Sequence, residues 1–326
     1  MTKIDLITGI LGSGKTTLLK LYAGHLVSQG RRIAVLENDY GAVNADMMML
    51  EELKRAGCVL EMVAGGGDPD CHRRRFKTQL ISLGMQHFDR VIVEPSGIFD
   101  MDEFFDILHE PPLDRWFEVG SVLTVADPTD RGELTRQMEY LLASQAACCG
   151  KLILSKADML TGETPDEAAE RVIGCLNRGL EAIKCDRRFS LRDIAVKDWR
   201  SFTDADYNIL MNAGYRGSRY VKLYLPEDIS STAHYFMNLS IAPEDIRSLL
   251  GEIFSDPACG RIYRIKGGLP DGRGGWLRVN ASPEHIEISH SDEGQSVLTV
   301  IGDGLDRTVI DTHFQRANTD PEYVSI

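Results

Sequence analysis

Residues 9–16 read Gly-Ile-Leu-Gly-Ser-Gly-Lys-Thr, an instance of the pattern GxxxxGK[ST]. They sit between a short apolar run, Ile4 to Thr8, and a stretch of helical period over 15–29. No other feature constrains the chain as strongly. A strand that turns through glycines into a helix aims several backbone N–H groups at one point, the arrangement that cradles phosphate oxygens. Gly9, Gly12 and Gly14 permit the turn around Ser13, Lys15 offers a point charge to β- and γ-phosphates, and Thr16 offers a hydroxyl to Mg2+. A strand, loop and helix of this kind belong to an α/β fold with a mainly parallel sheet. The next 170 or so residues continue the pattern. Apolar runs at Ile33 to Glu37, Val59 to Val63, Val91 to Glu94, Ser121 to Ala126 and Leu152 to Ser155 alternate with helical stretches at 45–56, 72–84, 101–108, 130–147 and 165–180. Their near-continuous apolar character suits strands buried on both faces.

A connector rich in polar and aromatic residues, about Arg187 to Ser218, ends this pattern. The expected organisation is a first domain over 1–200, a linker over 201–218 and a second domain over 219–326, and a chain of 326 residues is long enough for two. In the second, YVKLYL, RIYRIKGGL, WLRVN, HIEISH and SVLTVIG read as short strands, with a helix starting at Pro243 between the first two. A small α+β domain with an antiparallel sheet follows from that order. The net charge of −13 disfavours a nucleic-acid partner, and no apolar run is long enough to span a membrane. Seven cysteines without a CxxC pair are expected as reduced thiols, and the first residues lack a signal-type apolar core, so a cytoplasmic location is expected. Cys148 and Cys149 read as buried structural thiols. His234, His285, His290 and His313 lack ligand spacing and read as surface or strand positions.

Two further motifs bear on the nucleotide. Lys151 to Asp158 is an apolar strand ending in Ser-Lys-Ala-Asp, which is similar to the guanine-reading NKxD motif with Ser155 in place of asparagine. A carboxylate at Asp158 accepts from N1–H and the 2-amino group of guanine and is left unpaired by adenine. Glu94-Pro-Ser-Gly97 ends the strand RVIVE, where an acid can hold Mg2+ and the Gly97 N–H can sense a γ-phosphate. Glu37-Asn-Asp-Tyr-Gly41 ends the second strand and can serve metal or attacking water.

The order of these segments, GILGSGKTT, ENDYGAVNAD, EPSG, VAD ending at Asp127, Gln145, SKAD, RIYRIKGGL and SVLTVIGDGLD, resembles the CobW branch of the CobW/HypB/UreG family over nearly the whole chain. The resemblance implies a P-loop NTPase domain followed by a CobW-like C-terminal domain. It also implies a Mg2+-assisted GTPase acting as a metallochaperone or activator for a zinc, nickel or cobalt enzyme or a corrinoid-dependent client. By it, Lys15, Thr16 and Thr17 serve phosphate and magnesium, Glu37 and Glu94 serve the switches and catalysis, and Lys156 with Asp158 reads guanine. No arginine finger is evident, so turnover is expected to be slow.

One departure stands out: where that branch carries GCxCC, this chain reads Ala64-Gly-Gly-Gly-Asp68-Pro-Asp70-Cys71-His72. Asp70, Cys71 and His72, with Asp68, can form a different transition-metal site. Alternatively, the segment is a glycine-rich turn whose Asp70 caps the following helix. The Arg73 to Lys77 cluster reads as a solvated face or as a contact for an acidic partner. A GTP-dependent switch that binds an enzyme without carrying metal is the alternative to a metallochaperone, and an ATP-dependent small-molecule kinase is a third reading. Oligomerisation stays open.

Overall fold

The computed structural model describes residues 1–10, 12–38, 50, 52–63, 69–97, 99, 101–129, 134–224, 233–283, 285–291 and 294–325, and of Pro69 and Asp70 the backbone alone. Asp39, Tyr40, Gly41, Asp68 and half of the expected helix over 45–56 lie outside the described residues, and 52–55 within it are helical. The described residues fall into two compact units, the first up to Tyr224 and the second from Ala233.

In the first unit seven strands, β1 (Thr2–Thr8), β2 (Ile33–Asn38), β3 (Val59–Val63), β4 (Arg90–Pro95), β5 (Phe117–Ala126), β6 (Lys151–Leu154) and β7 (Ile194–Ala195), form one sheet in the order β3-β2-β4-β1-β5-β6-β7. Every pairing is parallel. The helices are α1 (Lys15–Ser28), α2 (Pro69–Gly84), α3 (Met101–Leu108), α4 (Leu113–Trp116), α5 (Arg136–Ala147), α6 (Pro165–Ala182) and α7 (Asp204–Met211). Side chains alternate across a strand. Ile7, Val35, Ile92, Leu123, Val125 and Ile153 accordingly share a core with Leu18, Leu19 and Tyr22 of α1 and Tyr207, Leu210 and Met211 of α7. Ile4, Leu6, Leu36, Val91, Val93 and Leu152, at the intervening positions, are buried as well. Both faces of the sheet are therefore covered, as the unbroken apolar runs require.

A buried polar cluster fixes the centre of the sheet. Asp5 of β1 accepts hydrogen bonds from Arg90 of β4 (2.5 Å), the Tyr22 hydroxyl of α1 (2.7 Å) and the Ser121 N–H of β5 (2.7 Å). A Cβ on Gly120 would lie 2.3 Å from Asp5 Oδ1, which explains a glycine inside a strand.

The expected linker over 201–218 is corrected. Within it α7 packs Tyr207, Leu210 and Met211 into the core of the sheet, and Phe202 with the preceding Trp199 packs against the same cluster, while Ile209 and Tyr215 stay exposed. YVKLYL is also corrected, because residues 220–224 form no strand. Val221 and Leu223 remain exposed at 44% and 49%, so the alternation has no sheet face to fill. The segment runs along the first unit, through Val221 N–H to the Ile183 carbonyl (2.8 Å), Lys222 to Asp102 (3.0 Å) and Tyr224 against Tyr140.

The second unit is a separate antiparallel sheet of β8 (Ala233–Met237), β9 (Arg261–Pro270), β10 (Trp276–Ala281), β11 (Ile286–Ser291), β12 (Val297–Asp303) and β13 (Val324–Ser325), in the order β11-β10-β9-β12-β8-β13. Helices α8 (Pro243–Ser255) and α9 (Arg307–Ala317) bury Ile246, Leu250, Ile253, Ile310 and Phe314 against its apolar face. The Gly-Gly of RIYRIKGGL has a steric cause: Gly267 has φ +150° and its Cβ would meet the Val297 carbonyl at 2.0 Å. No helix among the described residues is long and apolar enough to cross a membrane.

Candidate functional site

The order of the large sheet places β1 between β4 and β5, and the loop after β1 opens at the carboxyl ends of those strands, where α/β sheets bind ligands. Gly9, Gly12 and Gly14 all have positive φ (146°, 81° and 99°), so the loop's path depends on them. Gly9 has no room for a side chain, since its Cβ would lie 2.4 Å from the Val125 carbonyl oxygen and 2.5 Å from Ser13 Oγ. Gly14 caps α1 without any side-chain hydrogen bond, and the first turn of α1 holds no acidic residue. The helix thus presents uncapped N–H groups and the positive end of its dipole at the loop. Lys15 is 7% exposed and its Nζ reaches back to the Ile10 carbonyl at 3.5 Å. Thr17 is exposed on the first turn.

Thr16 donates its hydroxyl to Glu94 Oε1 at 2.9 Å, tying the start of α1 to the end of β4. Glu37 of β2 is the direct register partner of Glu94, and both are buried, at 2% and 4% exposure. A hydroxyl and two carboxylates give the hard oxygen donors that suit Mg2+. Gln145 connects this group to Gly97: its Oε1 accepts the Gly9 N–H at 2.9 Å and its Nε2 donates to the Gly97 carbonyl at 2.7 Å.

The end of β6 lies beside the same loop. A Cβ on Gly14 would be 3.5 Å from Ser155 Cβ and 3.3 Å from the Trp199 ring, whose Nε1 donates to the Leu154 carbonyl at 3.0 Å. Ser155 spends its hydroxyl on the Ala126 carbonyl (3.2 Å), while Lys156, in the left-handed region at φ 47°, pairs with Asp127. Asp158 is exposed and holds Arg200 at 2.8 Å, and Arg200 also pairs with Asp198.

A family model described as CobW/HypB/UreG, nucleotide-binding domain, matches residues 3–184. The chain belongs to the CobW/HypB/UreG family. It is 28% identical over 172 residues to zinc chaperone YeiR of Escherichia coli K12, covering 52% of this chain and 51% of the relative. It is 30% identical over 169 residues to zinc chaperone YjiA of the same organism, covering 48% and 49%. The chain spans about half the length of the curated relatives it matches. Among solved structures, the Zn(II)-bound YjiA GTPase of E. coli aligns over 98% of this chain and 99% of its own at 17% identity and a TM-score of 0.37.

Within this CobW/HypB/UreG chain, the structure brings Gly9, Ser13, Gly14, Lys15, Thr16, Glu37, Glu94, Gly97 and Ser155 to one end of the sheet, with Lys156 and Asp158 following Ser155. Three contributors carry no role in the sequence reading: Gln145 as a bridge, Trp199 as a wall of the loop, and Arg200 as the partner of Asp158. Only Gln145 had a signal, its place before SKAD. Cys71 and His72 lie on the first turn of α2, and the Asp70 side chain lies outside the described residues. His72 is 3% exposed, and its pKa is pushed down to about 4 by burial and by Arg75. Cys71 is half-buried and His72 buried, on adjacent helix positions whose side chains point in different directions. In the basic cluster, Arg73 and Lys77 both pair with Glu110, at 2.6 and 2.5 Å. Cys149 is wholly buried, and burial lifts its thiol to about 11.

Proposed function

We propose that the chain binds GTP with Mg2+, hydrolyses it slowly, and acts as a metallochaperone or activator for a metal- or corrinoid-dependent client protein. The observation that carries this reading is the Thr16 to Glu94 hydrogen bond beside Glu37, at the mouth of a glycine loop ending in Lys15. Thr16, Glu37 and Glu94 would hold the magnesium, which supplies charge neutralisation at the β- and γ-phosphates. Lys15 and the N–H groups of Ser13 to Thr17 would hold the phosphates, Glu37 or Glu94 would position water, and Asp158 would select guanine. Membership in the family and the names of its zinc-chaperone relatives support the client role.

Calorimetry with GTP, ATP and the Lys15→Ala variant tests the nucleotide assignment. GTP should bind tighter than ATP, and Lys15→Ala should abolish binding of both. Unchanged GTP affinity in that variant overturns the loop assignment, and tighter ATP binding overturns the role of Asp158. A second reading, a switch that carries no metal, is favoured by the sequence AGGGDPDCH where the CobW branch has GCxCC. Nucleotide-dependent capture of a client by protein that holds no transition metal in any nucleotide state would select that reading.

A further inference from the structure

Asp256 follows α8 and caps a short 3-10 turn, Pro257–Cys259. Positions i and i+3 of such a turn lie one above the other. The Asp-x-x-Cys spacing therefore sets the carboxylate and the thiol on one side. Asp256 Oδ1 accepts the Ala258 N–H at 2.9 Å, and Oδ2 turns to α9, where His313 Nε2 lies at 2.8 Å. One ligand atom from each of Asp256, Cys259 and His313 falls within 4.8 Å of the other two, the only such group of three found among the described residues.

The elements that carry these side chains are fixed independently of one another. Gly260 ends the turn at φ +85°, where a Cβ would strike the Gly304 carbonyl at 2.3 Å. The Cys259 carbonyl accepts the Asp306 N–H at 3.2 Å, and Asp306 in turn caps α9 through Thr308 and Val309. The residue after His313, Phe314, packs on Phe236 with ring centroids 4.7 Å apart, and Arg316 pairs with Glu252 of α8. The rotation of α9 is thus set by the apolar core and by its cap. His313 faces Asp256 as a consequence.

We propose that Asp256, Cys259 and His313 form a three-ligand site for one borderline divalent cation, zinc or cobalt, with a fourth position open to water or an exogenous ligand. Carboxylate, thiolate and imidazole together suit such a cation and suit magnesium or calcium poorly. Tetrahedral zinc with bonds of about 2.0–2.3 Å places its ligand atoms about 3.3–3.6 Å apart. The Asp256 to His313 contact needs to open by only about half an ångström, and the thiol, which lies within 4.8 Å of both partner atoms, needs to close by at most about 1.2 Å. Cys259 is wholly buried, whereas the His313 and Asp256 side chains are 16% and 31% exposed, so a cation enters past the imidazole and carboxylate. Burial, with the Asp256 and Asp306 charges, lifts the thiol to about 11. Cation binding therefore releases the thiol proton to solvent as the S–metal bond forms. His313 Nδ1 is buried without a hydrogen-bond partner among the described residues, so the protein has not committed both ring nitrogens. The site uses none of the nucleotide-binding residues and stands whether or not the proposed GTP reading does.

The test is titration of the full chain, reduced and stripped with chelator, first with Co(II) and then with Zn(II) in competition with an indicator. One Co(II) should bind per chain with a sulfur-to-cobalt charge-transfer band, and Zn(II) should displace it. Cys259→Ser should remove the band. His313→Gln and Asp256→Asn, the latter retaining an oxygen that can cap the turn, should each weaken Zn(II) at least about tenfold. Cys71→Ser should leave both readouts as in the parent. A band that survives in Cys259→Ser but disappears in Cys71→Ser overturns the proposal, as does parental zinc affinity in a folded His313→Gln. If Cys259→Ser does not fold, the partly buried positions His313 and Asp256 decide the question.

Discussion

Replacing Gln145 with leucine keeps the side-chain volume and removes two hydrogen bonds at once. Gln145 is 1% exposed, and its amide joins the Gly9 N–H (2.9 Å) to the Gly97 carbonyl (2.7 Å). The orientation of the amide follows from its partners, since the first can only donate and the second can only accept. Without the amide, both backbone groups are stranded in a buried site. Each stranded group costs about 1–3 kcal/mol, so the variant should lose about 2–6 kcal/mol of stability, with no cavity to confound the figure. Urea unfolding followed by circular dichroism reads this directly as a fall in midpoint at unchanged slope. Gln145→Glu supplies a second arm. Its carboxylate can still accept from Gly9 but repels the Gly97 carbonyl, and protonation restores a donor, so part of the loss should be recovered as pH falls. A loss below about 1 kcal/mol in Gln145→Leu would refute the claim that the amide holds loop and Gly97 together.

Arg90→Leu should cost about 3–5 kcal/mol in the same assay, because Asp5, wholly buried and with its pKa already raised by burial, loses its counter-ion and either stays charged and unpaired or takes up a proton; a loss near zero would show that the cluster is dispensable. Asp206 receives hydrogen bonds from Lys197, Thr203 Oγ1 and the Thr203 N–H, and its pKa is held down to about 2. Its folded value lies below its unfolded one, so its stabilisation is complete above the unfolded pKa and is lost as pH falls toward 2. Asp206→Asn should therefore flatten the acid limb of the stability profile by at most about 2 kcal/mol, and an unchanged limb would contradict the assignment. Arg200→Ala releases Asp158 from an exposed ion pair, so GTP should bind a few-fold tighter at low salt with ATP unaffected. The gain should fade at high salt. Equal gains for both nucleotides would separate Arg200 from base selection.

Legibility in this chain follows the range of the forces involved. The loop at 9–16 is readable because its chemistry is local: glycines at positive φ, a helix N-terminus and the lysine and threonine that follow. The strands β1 to β6 of the large sheet are readable because burial leaves an apolar run that no other element needs, whereas the two-residue β7 lies inside the expected connector and leaves no run to read. The string YVKLYL has the same local pattern and is not a strand, because what decides it is whether a sheet edge is available. Helix α9 is hidden for the converse reason: Ile310 and Phe314 are its only buried residues, too sparse to mark a period. That sparse stripe nevertheless orients the helix, and orientation is what carries His313 to Asp256. The same holds at the nucleotide end, where Gln145, Trp199 and Arg200 act across strand neighbours far apart in sequence. Pattern therefore finds groups whose role is set by their own turn or helix, while groups positioned by packing appear only once the sheet order is known.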